Sequence, residues 1–402
     1  MTATVQIEGT CDPRFAAVRD AFRENFAARD EVGAAVCVCA DGKVVVDLWG
    51  GYADSTRTRR WERNTVVDVA STSKGLTAIC VLMLVDRGLL DLDAPVAHYW
   101  PEFAQARKAK ILVRWLLSHR AGLPALRQEF PLECFYNWEI ATRMLAETEP
   151  WWQPGAQHGY HALTFGYLAG ELIRRITGLS VGQFLQREVA GPLGEACFIG
   201  VPPAEQHRVA DVLPAPPLAP GDTSVLDAYF RDPESMSGRT LMNSAALTPE
   251  VTNSPAWRSA EIPAANAHTS AAALGRIYGA LARGGELDGI RLLSPAIIEA
   301  ATVEQSVGWD AVLLIPTRFG LGFMLPMPES TEAMGAGPRL FGPSPHAFGY
   351  PGAGGSFSFA DSQAGIGFGY VMNQWKIGTP RNPDLRAASL VEAVYSSLGM
   401  NW

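Results

Sequence analysis

Residues 69–78 (VASTSKGLTA) constrain the fold most, because an extended apolar segment passes there directly into a helix whose apolar run continues to residue 85. Ser71 and Lys74 are three residues apart, so on a helix their side chains share one face. Ser71 stands at the helix N-terminus, where backbone N–H groups and the helix dipole favour negative charge. This spacing suits a serine nucleophile beside an amine base.

The lysine itself supports this interpretation. Because an apolar run follows Lys74, we expect it to be partly buried, and burial lowers the pKa of an ammonium group. A neutral amine can accept the proton of Ser71. Lysine supplies only five of the 33 basic residues, whereas arginine cannot be deprotonated in proteins. The alternative is an N-capping serine beside a surface lysine, and these residues alone do not decide between the two.

Strand signals lie at both ends of the chain and helical signals lie in its middle. Residues 32–40 and 43–49 are rich in β-forming side chains and are joined by Asp41-Gly42, which is typical of a hairpin. Later strands are predicted at 320–325, 348–350, 355–360 and 365–372, with helices at 12–29 and 384–398. The sequence predicts an α+β fold in which both chain ends form one antiparallel sheet with flanking helices, and a mostly helical domain is inserted.

The domain boundaries follow from this pattern. Residues 1–70 and 270–402 are predicted to form the sheet domain, and residues 71–269 the helical domain. Residues 202–263 are irregular and include a proline-rich run, which is typical of a lid, a binding loop or a disordered stretch. We predict a cap or lid in this segment.

Composition excludes several classes of protein. With a formal net charge of −8 and no basic stripe, the chain is not expected to bind nucleic acid. Its longest apolar run is broken by Asp86-Arg87, so no membrane span is expected. The N-terminus has neither a basic start nor an apolar core, so we expect no signal peptide and a cytoplasmic location. The six cysteines and seven histidines lack metal-binding spacing, so no metal is predicted, and the cysteines indicate a reducing compartment. Oligomeric state is not readable from the sequence.

A second candidate, Tyr160, lies just ahead of a predicted helix at residues 163–176. Near a lysine, a tyrosine can relay a proton between a serine and a leaving group. The alternative is a half-buried tyrosine that anchors its loop. Trp152 is predicted to line an apolar substrate pocket, although packing within the loop would explain it equally well.

A third candidate is the glycine-rich segment at residues 348–356, which leads into a predicted strand. Glycines there allow a substrate to approach the backbone, and an exposed N–H group can complete an oxyanion hole. Tyr350 and Gly352 are therefore predicted to contact substrate, with a tight turn or bulge as the alternative. The segment at 348–356 is not a phosphate-binding loop, because no Gly-Lys-[Ser/Thr] is present after its glycines.

These elements, taken in order, resemble the three motifs of the serine β-lactamase and penicillin-binding-protein superfamily. The chain is more similar still to the family VIII carboxylesterases, through LLSHRAGL at 116–123, WQPGAQHGYHALT at 152–164 and FGY at 368–370. The resemblance covers most of the chain and is weakest at residues 202–263. It implies a β-lactamase/transpeptidase-like fold.

The resemblance also implies a function. The chain would be a serine carboxylesterase that needs no cofactor and cleaves small-molecule esters of short to medium acyl chains. Ser71 would be acylated, Lys74 would accept its proton, and Tyr160 would help this step and protonate the leaving group. The N–H groups of Ser71 and Ala353 would form the oxyanion hole.

Two departures from the β-lactamase pattern concern the substrate. Ala162 stands where those enzymes usually have asparagine, and Tyr350-Pro351-Gly352 replaces Lys-Thr-Gly. Because that lysine binds the carboxylate of a β-lactam, its absence favours uncharged esters. A β-lactamase, a D-amino peptidase, an amide hydrolase or an acyltransferase with the same residues remains an alternative, as does a non-catalytic paralogue.

A competing motif is Gly178-Leu179-Ser180-Val181-Gly182, which matches the G-x-S-x-G elbow of α/β-hydrolases. That elbow must follow a strand and precede a helix. Here it lies between two predicted helices, and Ser180 with Gln183 is typical of a capping box. We therefore do not expect Ser180 to be a nucleophile.

Overall fold

The two ends of the chain form one six-stranded antiparallel sheet. The computed structural model describes residues 5–128, 131–218, 231–245, 248–327, 340–378 and 384–400. The strands of this sheet are β1 (Ile7–Cys11), β2 (Gly33–Ala40), β3 (Lys43–Gly51), β4 (Ala347–Pro351), β5 (Phe357–Asp361) and β6 (Ile366–Met372). Their order across the sheet is β1-β3-β2-β6-β5-β4. The two halves of the chain meet where β2 pairs with β6, with Val36 opposite Tyr370.

Helices cover both faces of the sheet and fill the middle of the chain. Those of eight residues or more are α1 (Ala16–Ala28), α2 (Ser73–Asp86), α3 (Trp138–Glu147), α4 (Thr164–Thr177), α5 (Met236–Ala245), α6 (Ala271–Ala282), α7 (Pro295–Thr302) and α8 (Arg386–Ser397). Shorter helices are Val96–Tyr99, Val113–Leu117, Leu132–Phe135, Val181–Leu185, Gly191–Leu193, Pro249–Thr252 and Pro255–Ser259, with a π-helical turn at Gln186–Ala190. In the described residues, no helix is both long and apolar enough to cross a bilayer.

The remaining regular elements are short. The 3-10 turns are Pro13–Phe15, Ala70–Thr72, Pro101–Ala104, Pro203–Arg208 and Ala353–Gly355. A small sheet joins Val67–Asp68, Ala267–Thr269 and Cys197–Ile199, and two hairpin pairs are Glu286–Leu287 with Ile290–Arg291 and Ser306–Trp309 with Pro316–Phe319.

The sheet is packed differently on its two faces. On one face, α1 and α8 contribute Phe22 and Leu390 to a core cluster with Val36 and Phe368. On the other face, α6 approaches the strands closely. A Cβ on its Gly275 would lie 2.6 Å from the sulfur of Cys37, so only glycine allows this approach.

Helix α2 forms the centre of the molecule. Every residue from position 73 to position 84 is buried, as expected for a helix that is apolar on all sides. It contacts α4, α7, the Val181–Leu185 helix and strand β4. The position of the Ala70–Thr72 turn at its N-terminus is therefore fixed by both the helical region and the sheet.

The predicted α+β fold is confirmed, including the sheet made from both chain ends. The position of one predicted strand was wrong. The strand expected at 320–325 lies at Pro316–Phe319, because Gly322 adopts a φ of +84° and turns the chain. The predicted irregular segment at 202–263 contains helices within its described part, including α5. Positions 219–230 and 246–247 of it lie outside the described residues. The domain division stays a proposal, since one apolar cluster extends from the sheet into the helical region.

Candidate active site

Ser71 lies in the Ala70–Thr72 turn, which leads directly into α2. The Thr72 hydroxyl donates to the Tyr350 carbonyl oxygen at 3.2 Å and so ties this turn to β4. The Ser73 hydroxyl donates to the Ala70 carbonyl and accepts the Ala267 N–H at 2.9 Å. The turn is therefore held from the sheet and from the helical region at once.

Three side chains meet at Ser71. The Nζ atom of Lys74 lies 3.1 Å from Ser71 Oγ, and the Tyr160 hydroxyl donates to the same oxygen at 2.8 Å. Lys74 Nζ also donates to the Ala264 carbonyl at 2.9 Å. It lies 4.7 Å from the centroid of the Tyr160 ring. The structure thus brings the three predicted catalytic residues into one hydrogen-bonded cluster, although their roles stay predictions.

Burial favours the neutral form of both groups beside the serine. Lys74 is fully buried, and desolvation lowers its pKa well below the ordinary value of 10.5. Burial raises the pKa of Tyr160 above 10, and hydrogen bonds with Ser71 and Tyr350 offset only part of that shift. A neutral amine can take a proton and a neutral phenol can donate one. The pair can therefore act as base and acid in these neutral forms.

A buried histidine orients the tyrosines. His119 Nδ1 accepts the backbone N–H of His161 at 3.1 Å, so the proton is on Nε2, which lies 3.0 Å from the Tyr350 hydroxyl. The His119 ring also packs against the Tyr160 ring, with 5.1 Å between centroids. Burial lowers the pKa of His119 well below 6.5 and that of His161 to about 3. Both imidazoles are therefore neutral donors and acceptors of fixed direction.

The glycine-rich segment packs directly against the Ala70–Thr72 turn. A Cβ on Gly352 would lie 2.3 Å from the Val69 carbonyl oxygen, so this approach requires glycine. The Ala353–Gly355 turn contacts the Ala70–Thr72 turn. The first N–H groups of a helical turn have no acceptor within it, and Ala353 is exposed while Ser71 is partly exposed. These N–H groups can stabilise an oxyanion, which was the predicted role of Ser71 and Ala353.

The predicted substrate-binding residues occupy different layers. Tyr350 is only 1% exposed and its hydroxyl is hydrogen-bonded to His119, so its side chain packs beneath the site and is not open to solvent. Gly352 is partly exposed beside the Ala70–Thr72 turn. Trp152 is half-buried and packs edge-on to His161, at 6.0 Å between ring centroids. Direct substrate contact by these residues stays a prediction.

Besides His119, two of the supports that sequence reasoning missed lie close to Lys74 and Tyr160. One is the carbonyl of Ala264, which no side-chain pattern could reveal. The other is Asp310, which is fully buried and accepts the Tyr160 N–H at 3.0 Å. Its carboxylate also accepts the N–H groups of Val312 and Leu313, each at 2.8 Å. The only sequence signal was an acidic residue among apolar neighbours. Among the residues described, no cluster of three or more His, Cys, Asp or Glu could hold a metal ion.

The fold and the site together are typical of one class of protein. In this class, a serine at the start of a central helix lies between a buried lysine and a tyrosine. The Beta-lactamase family profile matches residues 18–393. The chain belongs to this family.

Individual relatives of known name or structure support the same family assignment. The chain is 36% identical over 377 residues to "Esterase/beta-lactamase LipL" of Mycobacterium tuberculosis, covering 92% of this chain and 83% of the relative. It is similar to the crystal structure of a family VIII carboxylesterase, at 40% identity and a TM-score of 0.87, covering 98% of this chain and 100% of that one. A penicillin-binding-protein homologue from Caulobacter crescentus is 38% identical, with a TM-score of 0.84 and the same coverage. The resemblance predicted from the motifs is confirmed.

Proposed function

We propose that this protein is a serine carboxylesterase that cleaves esters of short to medium acyl chains through an acyl-enzyme on Ser71. One observation carries the proposal: Ser71 Oγ lies within hydrogen-bond distance of both the Lys74 amine and the Tyr160 hydroxyl. Burial favours the uncharged form of that amine and of that phenol. These are the forms in which an amine can act as a base and a phenol as an acid, which supports the proposal.

In the acylation step, the Lys74 amine takes the Ser71 hydroxyl proton while Oγ attacks the acyl carbon. The negative oxygen of the tetrahedral intermediate is stabilised by the N–H groups of Ser71 and Ala353. As the ester C–O bond breaks, the Tyr160 hydroxyl gives its proton to the departing alkoxide. The Lys74 ammonium then returns a proton to the phenolate, which leaves both groups as they began.

Deacylation repeats this chemistry with water as the nucleophile. Water loses a proton to the Lys74 amine and adds to the acyl carbon, which forms a second oxyanion in the same site. The bond to Ser71 Oγ then breaks, and the serine recovers its proton from the Lys74 ammonium. The products are a carboxylic acid and the free enzyme.

Uncharged esters fit the site better than β-lactams. The hydroxyl of Tyr350 is engaged by His119, so this position supplies a neutral ring where β-lactamases have a lysine. His119 is also uncharged at neutral pH, because burial lowers its pKa. Neither group offers a cation to a substrate carboxylate. Amide or β-lactam hydrolysis and acyl transfer to an alcohol are therefore the weaker candidates.

The test is a panel of p-nitrophenyl esters from acetate to octanoate, with nitrocefin assayed in parallel. We expect ester hydrolysis in the wild type, none in Ser71→Ala, and little turnover of nitrocefin. Ser180→Ala is the matched control: Ser180 caps the Val181–Leu185 helix and bonds to Glu261, so this variant should keep its activity. Hydrolysis undiminished in Ser71→Ala would overturn the proposal, and ester product formed on adding an alcohol would identify a transferase.

We also propose that the protein acts in the cytoplasm. All six cysteines are free thiols, four of them buried, as is usual in a reducing compartment. Fractionation of cells that express a tagged chain tests this, and recovery of the protein outside the cytoplasmic fraction would contradict it.

A further inference from the structure

Asp68 is a buried carboxylate beside the nucleophile turn. Its side chain is in the two-residue strand Val67–Asp68 and is 3% exposed. One oxygen accepts the Ala70 N–H at 2.7 Å, and the other accepts the indole N–H of Trp257, also at 2.7 Å. Both oxygens are therefore occupied by donors from two separate parts of the chain.

The Ala70 N–H belongs to a strained residue. Ala70 adopts a φ of +45°, and a residue with a Cβ rarely populates this left-handed region. Such strain persists only where the surroundings enforce it, and it is concentrated at functional sites. Here the Asp68 carboxylate holds the N–H of Ala70 and the Ser73 hydroxyl holds its carbonyl, directly before Ser71.

Trp257 connects this turn to the segment that also holds the base. It is 1% exposed in the Pro255–Ser259 helix. Seven residues later, the Ala264 carbonyl accepts the hydrogen bond from Lys74 Nζ at 2.9 Å. The Ala267 N–H then donates to Ser73 at 2.9 Å. Residues 257–267 therefore contact the nucleophile side and the base side of the site together.

We infer that Asp68 is a positioning residue of the esterase site, which holds Ala70 in its left-handed conformation and fixes the turn to Trp257. Ser71 Oγ is thereby kept between Lys74 Nζ and the Tyr160 hydroxyl. Asp68 acts through the backbone and touches no reacting atom. This role rests on the proposed function, in which Ser71 is the nucleophile.

The cost of this carboxylate agrees with a functional role. Burial raises the pKa of Asp68 to about 7, although its two hydrogen bonds and the charge of Arg258 act in the opposite direction. A buried charge is expensive, and an apolar side chain at such a position is often the more stable choice. Costly groups of this kind are retained where activity needs them.

The test compares Asp68→Ala with Asp361→Ala by steady-state kinetics, melting temperature and the rate of Ser71 labelling by a fluorophosphonate. Asp361 is the matched control, because it is also fully buried and accepts two backbone N–H groups and the Tyr395 hydroxyl. It lies at the end of β5 distant from the Ala353–Gly355 turn. At a temperature where both are folded, Asp68→Ala should lower kcat and the labelling rate together by about tenfold to a hundredfold, with KM little changed. Asp361→Ala should lower only the melting temperature.

A rescue separates positioning from general destabilisation. Glycine adopts positive φ freely, so adding Ala70→Gly to Asp68→Ala should recover a large part of the lost kcat. If Asp68→Ala does not fold, Trp257→Phe breaks one of the two bonds and should lower kcat severalfold at constant KM.

Three results would overturn the inference. These are a kcat in Asp68→Ala within about twofold of the wild type, a loss that Ala70→Gly leaves unchanged, and an unaltered kcat in Trp257→Phe. A wild type without Ser71-dependent ester hydrolysis would instead overturn the proposed function, whereas normal hydrolysis with no effect at Asp68 would overturn this inference alone.

Discussion

Lys74 and Tyr160 show how burial alone can prepare an acid and a base. Removing water disfavours the charged form of either group, so the pKa of the amine falls while that of the phenol rises. Burial therefore favours the uncharged form of both groups. No neighbouring charge is needed for this effect, and desolvation is the sole cause of the shift at Lys74.

The first prediction concerns pH. Because the pKa of Lys74 lies well below 10.5, kcat/KM should already be at its plateau near neutral pH and should fall on the acidic side as the amine gains a proton. A basic limb should appear only above pH 10, where Tyr160 ionises. A pH profile with an uncharged ester measures both limbs. A rate that rises steadily until pH 10 would contradict the lowered pKa.

The second prediction is that Lys74→Met abolishes activity but stabilises the fold, by about 1–2 kcal/mol. In the unfolded chain the lysine keeps its proton up to about pH 10.5, whereas in the folded protein it loses the proton at a lower pH. Folding therefore disfavours the bound proton, and this lowers the free energy of unfolding at pH 7. That cost disappears as the pH approaches 10.5. Urea unfolding at pH 7 and pH 10 should therefore show a larger gain at pH 7. An equal gain at both, or a less stable variant, would argue against a neutral buried amine.

At the scale of elements, the sequence predicted the parts of the site that are carried by side chains at fixed spacing. Three features could be predicted from the sequence: the Ser71–Lys74 spacing, the position of Tyr160 before α4, and the glycine-rich segment that leads into β5. Supports made by the backbone were not: the Ala264 carbonyl comes from a distant segment and has no sequence signature. The positive φ of Ala70 was equally hidden, because it depends on tertiary contacts with Asp68 and Ser73.

The third prediction concerns the Ala353–Gly355 turn. Gly354 has a φ of +88°, and a Cβ there would lie 2.3 Å from Trp375 Cδ1. Gly354→Ala should therefore displace the turn and its Ala353 N–H, and kcat should fall by about a hundredfold. Gly88→Ala is the control, since Gly88 has a φ of +68° with no atom within 4 Å of the added Cβ. Steady-state kinetics should show normal kcat in Gly88→Ala, and normal kcat in Gly354→Ala would contradict the role of this turn.

At the scale of the whole molecule, one network of ion pairs and hydrogen bonds around Arg386 connects distant parts of the chain. Arg386, at the start of α8, is fully buried and pairs with Glu31 at 3.0 Å and with Asp384 at 2.7 Å. It also donates to the Gly354 carbonyl at 3.0 Å. Burial raises the pKa of Glu31 to about 7, and the Arg386 charge opposes that shift. The first helix–strand connection, the last helix and the turn beside Ser71 are thus joined through a single guanidinium group.

The fourth prediction is that Arg386→Leu lowers the free energy of unfolding by about 3–5 kcal/mol, because it leaves the buried Glu31 carboxylate and the partly buried Asp384 carboxylate without their ion-pair partner. The control is Arg23→Leu, since the Arg23–Asp20 pair is exposed and its atoms are 3.6 Å apart. Exposed pairs of this kind contribute about 0–1 kcal/mol. Urea titration of both variants measures the difference, and equal effects would contradict the importance of the network.

The pairing of β2 with β6 has a consequence for biosynthesis. During translation, β2 and β3 are made close together, but β6, which pairs with the other edge of β2, is encoded more than 300 residues later. Until β6 is translated, that edge of β2 has no strand partner in this sheet, and unpaired strand edges are the kind of surface that chaperones protect. The proposed site also needs the Ala353–Gly355 turn, which is encoded far downstream of Ser71, so ester hydrolysis should require both parts of the chain.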